Sequence, residues 1–166
     1  MRRVKLTRGY FALVDDCDYL RVIEHKWSAH IDPRGSYRAV YARNRRHGLL
    51  HAFILQTCKA IDHEDGNGLN CTRANLRPAT QSQNCANRKN IKRKDTTSIY
   101  KGVSWKPIIK KWQASVKIKQ RKIYLGVYTY ETQAAFIYDL AAKRYFGEFA
   151  KTNFPDTFAR SHGSKV

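Results

Sequence analysis

Residues 60–88 read AIDHEDGNGLNCTRANLRPATQSQNCANR. Acids, a histidine, amides, glycines and two thiols crowd this stretch, and the chemistry it carries decides the fold around it. A calcium loop of EF-hand spacing begun at Asp62 would put Asn67 where the turn glycine belongs. It would also put Arg73 where the bidentate glutamate belongs, so the spacing excludes that reading. The four cysteines, Cys17, Cys58, Cys71 and Cys85, form no C-x-x-C pair, and no second knuckle completes a four-ligand zinc site. No serine stands in a context that would activate it as a nucleophile. What remains is a hard-cation site beside a histidine. Asp62 supplies a carboxylate and Asn84 a side-chain carbonyl, both oxygen ligands suited to Mg²⁺. Neighbouring residues of a strand point to opposite faces, so Asp62 and His63 can serve different tasks. A neutral imidazole at His63 can take a proton from a water attacking phosphorus, while the metal stabilises charge growing on the leaving 3′ oxygen.

The chain around this stretch has 166 residues, with 32 Lys+Arg against 13 Asp+Glu and a formal net charge of +19. Such an excess repels itself, and a polyanionic partner is its natural counterpart. An acidic membrane is the competing partner, but no basic amphipathic helix stands out. No apolar run approaches the ~20 residues that span a bilayer. Met1-Arg2-Arg3 is basic, yet residues 4–9, VKLTRG, break any signal-peptide apolar core. The chain therefore reads as soluble and cytoplasmic, with separate reduced thiols rather than disulfides.

Patterning along the chain predicts a β-rich start, with strands at residues 4–6 and 10–14 and a short helix from Asp15-Asp16 to about residue 25. Strands at 27–31 and 37–42 flank Asp32-Pro33-Arg34-Gly35-Ser36, a hairpin turn by composition. A short helix is expected at 49–55, and another at 79–89 capped by Thr80 with Gln83 at the third position. Residues 88–97 are polar and basic and read as a linker. Charge is concentrated: residues 88–122 hold thirteen Lys/Arg and one acid, Asp95, whereas residues 123–160 hold four of each sign. Strands are predicted at 100–105, 112–118 and 122–127. In the second, Trp112, Ala114, Val116 and Ile118 share one face, and Gln113, Ser115 and Lys117 the other. Residues 131–146 form an amphipathic helix, with Thr129 as N-cap and Gly147 as C-cap. Its recurrent alanines permit close packing on a sheet.

The stretch IDHEDGNGLNCTRANLRPATQSQNCANR resembles the HNH nuclease motif in the form found in phage and intron-encoded homing endonucleases. That pattern runs D-H, a glycine-containing loop, N-L-R-x-A-T and then S-x-N-x-x-N. The resemblance implies a ββα-metal module, a hairpin bearing the base followed by a helix bearing a metal ligand. Position by position, it places the general base at His63 and metal ligands at Asp62 and Asn84. Asn75 matches the asparagine that orients the loop and the base. Arg77 either contacts phosphate or supports the fold. The family often has M-H-R before its hairpin, whereas this chain reads Leu50-His51-Ala52, so His51 is taken as a packing residue. Cys71 and Cys85 fall at variable motif positions.

Residues 99–155 resemble the AP2 DNA-binding domain through Tyr100-Lys101-Gly102-Val103, Lys111-Trp112-Gln113-Ala114, Tyr124-Leu125-Gly126, Tyr138-Asp139-Leu140-Ala141-Ala142 and Asn153-Phe154-Pro155. The resemblance implies a three-stranded antiparallel sheet laid in the major groove and backed by one helix. Its contact positions fall on Lys101, Ser104, Lys106, Trp112, Ser115, Lys117 and Tyr124. Ser104, Ser115 and Tyr124 differ from the plant residues at those positions, so the plant target does not transfer. Lysine at the others suits phosphate anchoring more than bidentate guanine readout.

The expected fold class is α+β: a β-rich segment (1–48), an HNH module (49–89), a basic linker (90–98), an AP2-like domain (99–155) and a tail (156–166). The expected function is Mg²⁺-dependent, site-specific cleavage of double-stranded DNA, with Mn²⁺ as a substitute, by a monomer rather than an oligomer. Homing, in a bacterial host, is the biological role the resemblance implies. Two rivals from other classes are a DNA-binding regulator that kept an inactive HNH fold and a packaging protein that binds by charge alone.

Overall fold

The computed structural model describes residues 1–32, 39–88, 96–119 and 121–155. The described residues form small antiparallel sheets and four α-helices, compatible with an α+β class. They fall into two compact units, Met1–Asn84 and Cys85–Val166. No helix among them is long and apolar enough to cross a membrane.

In the first unit, β1 (Arg2–Lys5) pairs antiparallel with β2 (Phe11–Val14). Alternation places Val4 of β1 and Ala12 and Val14 of β2 on the buried face. Helix α1 (Asp16–Ile23) follows and buries Val22 together with the carboxylate of Asp18. Asp15 precedes it as expected, but its side chain accepts from the main-chain nitrogen of Arg73 at 2.7 Å instead of capping the helix. Strands β3 (Ser28–Ile31), β4 (Val40–Asn44) and β5 (Gly48–Leu49) form an antiparallel sheet in that order. The hairpin turn expected between β3 and β4 lies outside the described residues from 33 to 38. Helix α2 (Leu50–Leu55) inserts Leu50 and Ile54 into the core.

The stretch that opened the sequence forms β6 (Ile61–His63), a loop, β7 (Leu76–Pro78) and helix α3 (Gln81–Asn87). The two strands pair antiparallel, with Asp62 opposite Arg77 and His63 opposite Leu76. The capping arrangement at the start of α3 is present. Thr80 Oγ1 accepts from the Gln83 amide at 3.3 Å, and Gln83 Oε1 accepts from the Thr80 amide at 2.8 Å. The loop is also joined to β2: Leu13 donates to the Leu69 carbonyl at 2.8 Å, and Cys71 donates to the Leu13 carbonyl at 2.9 Å. One hydrophobic core runs through the unit, with Val14, Val22, Trp27, Leu50, Ile54, Ile61 and Leu76 among its members. Residues 1–48 thus share their core with the segment that follows.

The second unit has β8 (Val103–Lys106), β9 (Lys111–Ile118) and β10 (Arg121–Tyr128) in an antiparallel sheet with β9 central. Helix α4 (Glu131–Phe146) lies on one face and buries Ala134, Ala135, Tyr138, Ala142 and Phe146. Close approach is enforced at Gly102, where φ is +77° and an added Cβ would lie 1.9 Å from the Tyr138 ring. Gly147 ends the helix at φ 56°, as expected. The N-cap differs from expectation. Tyr130 rather than Thr129 holds that position, with no side-chain cap, and the Glu131 side chain in the first turn accepts from the Ser98 hydroxyl at 2.7 Å. Behind α4, the fully buried Asp139 accepts from the main-chain amides of Asn153 and Phe154, both at under 3 Å. Asn153 in turn pairs with the main chain of Lys101, which ties the segment after α4 to the turn before β8. The expected basic linker lies mostly outside the described residues, at 89–95, and the tail lies wholly so, at 156–166.

Candidate active site and nucleic-acid face

The loop between β6 and β7 is organised by Asp65. Its carboxylate accepts from the Asn67 amide at 2.7 Å, from Asn70 Nδ2 at 2.8 Å and from Asn75 Nδ2 at 3.0 Å. Burial raises the pKa of this carboxyl, but these hydrogen bonds more than offset it and the net shift is downward. Asn75, itself buried, adds two bonds: its Oδ1 accepts from the Asp65 amide at 3.0 Å, and its Nδ2 donates to the Asn70 carbonyl at 2.8 Å. The Glu64 amide donates to the Asn75 carbonyl at 3.0 Å. The two residues that follow His63, Glu64 and Asp65, are therefore both pinned, and Asn75 acts on them directly.

Asp62 and His63 leave β6 toward opposite faces. Asp62 Oδ2 accepts from Arg77 Nε at 3.0 Å and Nη2 at 2.9 Å, a fork between register partners. Arg77 also lies 3.6 Å from Glu64, so its guanidinium serves the two acids beside His63. Asn84, on α3, donates through Nδ2 to the Ile61 carbonyl at 3.2 Å. That bond brings the amide of α3 to the residue preceding Asp62.

The His63 ring lies 4.9 Å from the His51 ring at 80° and 5.9 Å from the Tyr41 ring. Burial pushes the His63 pKa down to about 4, with Asp65 pulling weakly the other way. Burial, and then the neighbouring His63, bring His51 to about 4 as well. Both imidazoles are consequently neutral at pH 7. Tyr41 packs closely here: a Cβ at Gly68 would meet its ring at 2.6 Å. Sequence reasoning set His51 aside as a packing residue and did not single out Tyr41. The alternation of β4, with Ala42 buried, was the signal available for Tyr41. No spacing argument links either residue to His63.

All four cysteines are free. Cys71 is buried, and burial pushes its thiol up to about 12. Among the described residues no group of three or more His, Cys, Asp or Glu comes together as a metal cage.

The second unit separates its sheet faces clearly. Ala114 and Val116 of β9 are buried beneath α4. On the opposite face, Ser104 stands across from Gln113, Lys106 from Lys111, Tyr124 from Ser115 and Lys122 from Lys117. Five of the expected contact residues, Ser104, Lys106, Ser115, Lys117 and Tyr124, share this face, and Tyr124 is 60% exposed. Two others are placed elsewhere. Trp112 stacks edge-on against Trp105, its cross-strand partner, with ring centroids 5.0 Å apart, on the α4 side of the sheet. Lys101 donates to the main-chain carbonyls of Ala86 and Arg88, and burial lowers its pKa to about 8. Gln113, by contrast, joins the open face, where strand alternation had already placed it.

No family model matches the chain. The chain is 33% identical over 152 residues to an uncharacterized HNH endonuclease of Acanthamoeba polyphaga mimivirus. That match covers 88% of this chain and 76% of the viral protein. A stretch of 69 residues is 41% identical to an AP2-like ethylene-responsive transcription factor of Arabidopsis thaliana, covering 36% of this chain and 14% of the plant protein. A stretch of 62 residues is 40% identical to an AP2/ERF and B3 domain-containing transcription repressor of the same plant, covering 37% of this chain and 17% of that protein.

Proposed function

The chain belongs to the HNH endonuclease family, and from that premise we propose that it is a site-specific DNA endonuclease that hydrolyses phosphodiester bonds with His63 as general base. The observation that carries the reading is the state of His63. It is a neutral, buried imidazole on a strand whose next residues are pinned by Asp65 and Asn75. A neutral imidazole keeps the lone pair through which a general base takes a proton.

The donor set at the neighbouring face suits Mg²⁺, or Mn²⁺ in its place. Asp62 offers a carboxylate held by the Arg77 fork, and Asn84 offers an amide whose nitrogen is already bonded to Ile61, turning its chemistry toward the oxygen. When bound there, a divalent cation supplies positive charge against the scissile phosphate and the departing 3′ oxygen. His63 removes a proton from water as the water oxygen bonds to phosphorus. The bond from phosphorus to the 3′ oxygen then breaks, leaving a 5′-phosphate and a 3′-hydroxyl once that oxygen is protonated. Arg77 orients Asp62, and Asn75 keeps the loop from carrying His63 out of line.

The basic sheet face of the second unit supplies recognition, in keeping with the similarity to proteins named as AP2 transcription factors. A strand ribbon fits the major groove, which is about 12 Å wide. Lys106 and Lys117 anchor phosphates, while Ser104, Ser115 and Tyr124 face base edges. A homing role, in which the enzyme cuts a site related to its own genetic neighbourhood, is the biological extension of this reading.

The test is cleavage of DNA from that neighbourhood, with end analysis of the products. Mg²⁺-dependent ends that ligate directly are expected from the wild type. Asp62→Ala and Asn84→Ala should each lose at least 100-fold in rate while retaining DNA binding, the scale set by loss of transition-state charge stabilisation. Sequence-specific binding with no cleavage in Mg²⁺ or Mn²⁺ would instead favour the regulator.

A further inference from the structure

The face of the β3–β4 hairpin that Ala29 and Ala42 turn away from carries a second basic feature. Ala29 and Ala42, directly opposite each other, point into the core. Their neighbours therefore point outward: Ser28 opposite Arg43, and His30 opposite Tyr41. Ser28, Ala29, His30, Arg43 and Arg45 line an open depression of about 280 Å³. The Ser28 hydroxyl donates to the Arg43 carbonyl at 2.9 Å and joins the two strands at this lining.

The arginines of this depression differ from those held by the buried acids of the unit. Arg21 and Arg73 are paired with Asp18, and Arg77 with Asp62. Arg43 and Arg45 are exposed, and among the described residues neither has an acidic partner. Two guanidiniums and an imidazole in a concave site, with no carboxylate among its described lining residues, suit a phosphate-like anion.

The position of the depression is informative. Tyr41 occupies the same outward face as Arg43, two residues earlier on β4, and its ring lies 5.9 Å from His63 and 6.1 Å from His51. Two residues of strand span about 7 Å, a separation on the scale of neighbouring nucleotides of one strand. We propose that Ser28, His30, Arg43 and Arg45 form a phosphodiester-binding track in which the DNA strand is gripped a few nucleotides from the bond cut at His63, with Tyr41 lining the passage between them. The track rests on the endonuclease reading for its substrate. It makes β3 and β4 a part of substrate binding, distinct from the sheet face of the second unit.

The test uses the full chain and the R43Q/R45Q double variant. Gln keeps most of the side-chain stem, and both positions are exposed, so the fold should survive. In metal-free buffer, binding to a short duplex of arbitrary sequence is measured across a salt series. The slope of log K against log salt should shrink by about 1.8 in the variant, at ~0.9 per neutralised phosphate for two lost charges. An unchanged slope would overturn the track. This arm requires no cleavage, so it decides the track even if the wild type proves unable to cut DNA.

In Mg²⁺, KM for cleavage should rise severalfold in the variant with kcat retained. Neutral methylphosphonates placed one to three nucleotides from the cut should weaken the wild type and leave the variant unaffected. Equal sensitivity of the two proteins would overturn the placement beside His63.

Discussion

His63 can act as a base only if it stays unprotonated and keeps its position, and different neighbours serve each need. Burial among β6, Tyr41 and His51 keeps the ring neutral. Position comes from the loop that follows, where Asp65 and Asn75 exchange hydrogen bonds in both directions. Truncation at Asn75 removes three such bonds and strands buried partners. Asn75→Ala is accordingly expected to cost about 1–3 kcal/mol of stability and to lower kcat far more than it raises KM. Denaturant melts and steady-state kinetics on the same preparation check both. An unchanged kcat would mean that the loop does not position the base. Residue chemistry between 62 and 84 pointed to Asp62, His63 and Asn84 in the sequence, and the resemblance to the HNH motif added Asn75. The organising role of Asp65 was not legible, since it depends on which of several acids and amides meet once the loop closes. His51 and Tyr41 were hidden for a related reason: their proximity to His63 is a product of how α2 and β4 pack, and no sequence spacing encodes it.

At the scale of elements, the loop after β6 is anchored to α1 by a charge cluster. Asp18, 2% exposed, accepts from Arg73 Nε at 2.7 Å and Nη2 at 2.9 Å, and from Arg21 at 2.8 Å. Hydrogen bonding from Arg73 lowers the Asp18 pKa against the opposing effect of burial. A carboxyl lowered in the folded state contributes stability that is complete above its unfolded value, near 3.8, and is lost as pH falls through the folded value below that. Thermal stability should therefore drop as pH falls below about 4, the unfolded Asp value. Asp18→Asn should flatten that decline and cost roughly 1–3 kcal/mol at pH 7, below the full figure for a buried pair because Arg73 is half exposed. An acid limb identical in the two proteins would contradict this. Elements themselves were largely readable, because alternation and capping are local. The Thr80–Gln83 arrangement formed as its sequence indicates. The start of α4 did not, since the helix begins one residue later than a Thr129 cap requires, with Tyr130 at the N-cap and no side chain capping it. The Asp18–Arg73 link spans 55 residues and left no local sign.

For the molecule as a whole, charge was the most legible property and its use the least. The excess of Lys and Arg in residues 88–122 announced a polyanionic partner. Only the sheet registers show that Lys106, Lys111, Lys117 and Lys122 share one open face. They also show Trp112, a contact residue by motif, against Trp105 on the other side. Arg43 and Arg45, by contrast, lie in an unremarkable stretch of sequence and gain meaning from the hairpin that presents them. In the proposed function binding and chemistry draw on separate residues, so losing the base should leave recognition intact. The most direct test compares wild type and His63→Ala on the same end-labelled duplex in Mg²⁺, with binding measured in parallel. The account predicts cleavage by the wild type, none by the variant, and equal affinity within about twofold, a difference of under ~0.5 kcal/mol. Equal cleavage by the two proteins would contradict the assignment of His63 as the base.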